Sequence, residues 1–200
     1  MTKASVINVE HMPRFGFGHR SVLWWATLGL IAIEGTMFAL VITSYLYIKG
    51  RNPHWAPGVF PPDLFWGTLN TIVLLLSCVP NQLAKKAAEK LDLPKAQLWM
   101  VVCIVFAAAF NIIRIFEFRH LNVWWDTNAY GSVVWTLLGF HTVHIVTDFF
   151  DTVVLAVIMF VGPLEEKRFV DVSENAFYWY FVVVTWLPIY GLIYFAPRLA

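Results

Sequence analysis

Apolar residues run along this chain in five long stretches, each about 20 residues or more, broken by short polar segments. A run of that length is what a helix needs to cross the hydrocarbon core of a bilayer. The runs place five transmembrane helices at about residues 22–48, 64–83, 97–118, 131–160 and 176–196, a bundle of all-α class. Residues 1–21 read as a polar arm; residues 22–200 read as one five-helix membrane domain without internal repeats. Aromatic pairs mark the ends of the first span, Trp24-Trp25 and Tyr45/Tyr47. The connection 49–63, with Pro53, Pro57, Pro61 and Pro62, reads as ordered but non-helical. Residues 84–96 read as a solvated loop or short surface helix, because Pro80 falls where the second run ends and Lys85, Lys86, Lys90 and Lys95 follow. Residues 161–175 read as a charged loop. Pro188 should leave the Val184 carbonyl unpaired and bend the last helix.

Composition supports the membrane reading. Of 200 residues, 59% are hydrophobic and only 14% charged, with mean hydropathy +0.65. A soluble domain carries far more charge. The net charge of +1 gives no reason to expect nucleic acid as a partner. No cleavable leader pattern is visible in the first 20 residues. Cys78 and Cys103 lie singly inside apolar runs and read as small packing residues. Nine Lys and Arg fall on the side of the arm and of the loops 84–96 and 161–175, against four on the other. The excess of positive charge puts the N-terminus in the cytoplasm and the C-terminus outside.

The chemistry sits on the fourth run. His141, His144, Asp148 and Asp151 are spaced 3, 4 and 3, so they share about 80° of helix surface. Ionisable groups at membrane depth are costly and should face protein. Glu34, near the middle of the first run, costs roughly 2.5–3.5 kcal/mol on insertion scales. Rough depths put Glu34 level with His144, so the two can pair if helices one and four are neighbours. Arg114 belongs nearer the other edge than Asp148; Glu117, one turn away, is the better partner. Gly29, Gly35 and Gly139 read as sites of close helix approach. The polar face admits three readings: hydrogen bonding between helices, a proton or lipid-headgroup role, and a metal site. His141 and Asp151 stand about 15 Å apart along the axis, too spread for a compact metal set. The histidines do not suit a redox centre either. His11, His19, His54 and His120 lie outside the runs, leaving one pair a single turn apart. No redox cofactor is expected in this chain.

These residues also carry a family likeness. Asp126-x3-Tyr130-Gly131-Ser132-x6-Gly139-Phe140-His141-x-x-His144 resembles the signature of subunit III of haem-copper oxidases, the cytochrome c oxidase subunit 3 family. Phe116-Glu117-Phe118 resembles the family's glutamate-aromatic pair, and Glu174 to Trp186 its last helix. Glu34 matches the carboxyl that reacts with carbodiimide in that family. The likeness spans about 22–196. It departs at Tyr180, Val183 and Thr185, where the family's last helix has His, Asp and Val, and at Arg114, where Gln is common. The two N-terminal helices of seven-helix members have no counterpart among these runs. The departures point to a divergent branch.

The resemblance implies a non-catalytic subunit in a bacterial cell membrane. It would pack on the catalytic subunit I, which would carry haem and copper, and among other respiratory-chain subunits. It would bind phospholipid and support proton uptake, with Glu34 and His144 as a buried pair. The complex served would be a cytochrome c or quinol oxidase, or alternatively a nitric oxide reductase. Two readings from other classes stay open at this point: a proton-coupled transporter with Glu34 as carrier, and an intramembrane metalloenzyme on helix four.

Overall fold

A computed structural model describes residues 16–52, 55, 60–162 and 165–198. The expected arm before residue 16, with its His11, and positions 53, 54 and 56–59 of the proline-rich connection lie outside the described residues. Five helices follow: α1 Val22–Arg51, α2 Leu64–Glu89, α3 Leu93–Arg119, α4 Ala129–Val161 and α5 Glu166–Tyr190. All five are long and apolar enough to cross a membrane. A 3-10 turn, Gly18–Arg20, leads into α1, and a π turn, Gly191–Phe195, closes α5.

Helices α2, α3, α4 and α5 form a four-sided bundle in which α2 packs on α3 and α5, and α4 on α3 and α5; α1 lies outside, on the seam between α4 and α5. The end at which α1 begins and α2 meets α3 is called here the near end, the opposite one the far end. Only Phe38 and Tyr45 of α1 are buried, both in its second half. The first half leans on the bundle lightly, through contacts such as Trp24 stacked on Phe177 of α5.

Two helices are longer than the apolar runs suggest, for the same reason. Ser77, Asn81, Ala84, Ala87 and Ala88 are buried along one stripe of α2, a helical repeat of threes and fours. The small side chains let α2 continue to Glu89 against Met100 of α3 and Phe169 and Val172 of α5. The lysines between them occupy the other faces, so the expected surface loop at 84–96 shrinks to Lys90–Asp92. Likewise α5 starts at Glu166, inside the expected charged loop, because Phe169, Val170 and Val172 need cover. α5 keeps Pro188 inside its helical span, and three residues later the ladder widens into the π turn.

The α2–α3 joint is tight. Leu91 takes a positive φ of 56°, the left-handed stop that ends many helices. Asp92 then caps α3, accepting from the Lys95 amide at 3.3 Å and its ammonium at 2.6 Å. These bonds, the ammonium's first, hold the Asp92 carboxyl below the usual range. A depressed carboxylate contributes its full stabilisation above its unfolded value and loses it as pH falls through its own, lower value. Exchange protection of the Lys95 amide is therefore expected to hold at neutral pH and to be lost only once the pH is well below about 4.

Candidate buried polar site

Helix α4 is set in place by its first turn. The Asn128 side chain accepts from the Gly131 amide at 2.8 Å, an N-cap bond. Trp135 on the next turn donates its indole N–H to the Val123 carbonyl at 2.7 Å. With that end fixed, the helical period aims His141 at α3 and α5 and His144 at α1.

His141 belongs to a buried network in the far half of the bundle. Arg114 and Glu117 of α3 are each 1% exposed, and their guanidinium and carboxylate lie 3.0 Å apart. Asn70 of α2 donates to Glu117 at 2.7 Å and the Tyr194 hydroxyl at 2.6 Å. Arg114 also donates to Nδ1 of His141 at 3.2 Å, and Nε2 of the ring lies 3.0 Å from the Val182 carbonyl. A guanidinium can only donate and a carbonyl can only accept. The imidazole is therefore the neutral Nε2–H tautomer. The charge of Arg114 is further spread over the faces of Phe110 and Trp186, 4.7 and 4.3 Å from the ring centres. With this many partners the pair is tolerable in hydrocarbon. Arg114 meets Glu117 and His141 here, not Asp148.

His144, one turn on, faces α1. Its Nδ1 donates to the Phe140 carbonyl at 2.6 Å, so Nε2 faces Glu34 at 3.7 Å. The Tyr178 hydroxyl of α5 donates to the other Glu34 oxygen at 2.7 Å. Phe38 of α1 packs on the imidazole at 4.8 Å between centres. The Glu34 side chain stays 21% exposed and that of His144 9%, so this cluster sits at the margin of the bundle, under α1, while the Arg114 network is sealed inside it.

The remaining two acids part company. Asp148 is 3% exposed, while Asp151 is exposed. The expected single protein-facing wall therefore ends at Asp148. Asp151 lies at the edge that α1 would have to cover, and the first half of α1 buries nothing there. Among the described residues no group of three or more His, Cys, Asp and Glu side chains converges as metal ligands do. His141 and His144 spend their ring nitrogens on different partners. The expected glycine contacts are also corrected: Gly29 and Gly139 face open space and Gly35 makes an ordinary contact, whereas Gly67, Gly131 and Gly162 are the crowded ones.

Sequence reasoning missed Tyr178, Tyr194 and Asn175 as partners, since tyrosines in an aromatic run look like interface anchors. The available signal was spacing: Trp186, Tyr190 and Tyr194 recur every fourth residue. The first two contact Thr71 and Thr68 of α2 at 2.8 and 2.7 Å.

Comparison with known proteins fits this geometry. The sequence model of cytochrome c oxidase subunit III matches residues 53–197. The chain belongs to the cytochrome c oxidase subunit III family. Its relatives include the cytochrome c oxidase subunit 3 of Thermostichus vulcanus, 26% identical over 86% of this chain and 87% of the relative. That of Synechocystis is 25% identical over 88% and 77%, and that of Corynebacterium diphtheriae 28% over 80% and 78%. The family is that of an accessory, multi-pass membrane subunit of haem-copper oxidases. Membership decides against the transporter and metalloenzyme readings.

Proposed function

We infer that this subunit III packs on a catalytic subunit bearing haem and copper in a cell membrane, N-terminus in the cytoplasm, and supports that subunit's proton uptake through Glu34 and His144. The catalytic chemistry belongs to the partner; this chain supplies packing, a lipid-facing surface and a place for a proton. One observation supports the proton role above the others. The Glu34 carboxyl accepts from Tyr178 on one oxygen and has its other oxygen 3.7 Å from His144 Nε2, yet keeps a fifth of its side-chain surface open. A carboxyl that served packing alone would be closed off as Glu117 is. His144 has one nitrogen fixed by its own helix and the other free to take a proton from Glu34 or return it.

The test is Glu34→Gln in the assembled oxidase. Glutamine keeps the size and can still accept from Tyr178, so assembly and thermal stability are expected to change little. The lifetime of the enzyme during turnover is expected to shorten several-fold, with fewer protons taken up per electron. Unchanged lifetime and proton stoichiometry would leave Glu34 a packing residue. The spectrum of the co-purified complex identifies its haems and metal, and so separates an oxidase from a nitric oxide reductase.

A further inference from the structure

Below the Glu34 cluster, toward the near end, the four helices of the bundle enclose a small cavity. Its lining includes Ser77 and Asn81 of α2, Cys103 of α3, Asp148 and Thr152 of α4, and Trp179 of α5. The space open to a water's centre is about 10 Å³, room for a single water. The polar lining suits one, since a buried water wants two to four hydrogen-bond partners.

Asp148, 3% exposed, is weakly satisfied. Its hydrogen bond is a long one, 3.4 Å from the Asn175 amide nitrogen. The amide is turned that way because its oxygen accepts from Thr152 at 3.2 Å. The ion pairs among the described residues are Asp92 with Lys95, Glu117 with Arg114, Glu34 with His144 and Asp171 with Arg168; none involves Asp148. A bare carboxylate at this depth would be costly, whereas the neutral acid needs only an acceptor for its O–H. Asn175 offers Asp148 a donor, so the acceptor has to come from elsewhere. Ser77 Oγ is engaged by Trp179 at 2.9 Å and by the Leu74 carbonyl at 2.6 Å.

We propose that this cavity is a water-binding site and that Asp148 is a protonated acid that exchanges its proton through the bound water. The water accepts from the Asp148 O–H and donates to oxygens of the lining. The exposed Asp151 stands one turn further along α4, on the route to the near end. The proposal rests on the cavity and on Asp148, not on the role given to Glu34.

The test is infrared spectroscopy of the purified oxidase complex containing this chain, wild type minus Asp148→Asn, in H2O and in D2O. The variant is expected to lose one carboxylic-acid C=O band, and in the wild type that band is expected to shift down within the time of buffer exchange. Ala107→Val, which fills part of the cavity, is expected to keep the band and slow its deuteration several-fold. A difference spectrum without the band overturns the protonated acid. A band that holds its position in D2O, or that exchanges at the wild-type rate in Ala107→Val, overturns the water site. Should Asp148→Asn fail to assemble, the S–H stretch of Cys103, assigned with Cys103→Ala, decides the water site: prompt deuteration supports it and persistence overturns it.

Discussion

Glu117→Ala is expected to destabilise the bundle by about 3–5 kcal/mol, the usual effect of removing one partner from a buried charge pair. Three groups lose an acceptor at once: the Arg114 guanidinium, the Asn70 amide and the Tyr194 hydroxyl. Arg114 is then a buried cation with the His141 ring nitrogen and two aromatic faces as its company. Those contacts soften the charge without neutralising it. The double variant Glu117→Leu with Arg114→Met is expected to recover most of the loss, because the cost lies in the unpaired charge and not in the absence of the pair. Thermal unfolding of the purified complex in mild detergent, followed by the retention of this chain, measures both. A Glu117→Ala complex as stable as the wild type would mean that Arg114 finds another anion.

Gly131→Ala should be the second most damaging change, roughly 1–3 kcal/mol. A Cβ at this position would stand 2.2 Å from the Trp124 carbonyl oxygen and 2.8 Å from a Val123 methyl. The first obstacle is backbone, so no rotamer change relieves it. The loop that must move carries the buried Leu121 and Val123 and anchors Trp135 and Ser132. Gly139→Ala is the control: nothing lies within 4 Å of its Cβ position, and alanine is the better helix former. Comparable melting temperatures for the two variants would show that the loop yields freely.

The number of helices was readable from the apolar runs because bilayer thickness imposes it on the chain. Their ends were not. Ala84, Ala87 and Ala88 look unremarkable beside four lysines, and only the presence of Phe169 and Val172 opposite them makes them core. The polar face of α4 was legible as a spacing of 3, 4 and 3, yet spacing says where residues point and not what covers them. His144 found Glu34 under α1, whereas Asp151, two turns on, stays exposed beside a half of α1 that buries none of its own residues. Glycines misled in the same manner: Gly139 sits mid-helix within the sequence signature and touches nothing, while Gly131 in the same signature is pressed against a loop that periodicity cannot place.

The π turn at Gly191–Phe195 acts as a phase correction. In an α ladder, every fourth residue overshoots a full turn by about 40°, so a row such as Trp186, Tyr190 and Tyr194 drifts sideways as it climbs. A π turn takes up one residue more than an α turn and cancels part of the drift, which brings the Tyr194 hydroxyl in over Gly67 to reach Glu117. Residue count there is thus fixed by geometry, as gear teeth are: dropping a single residue would restore the ordinary ladder and swing the tyrosine off its carboxylate.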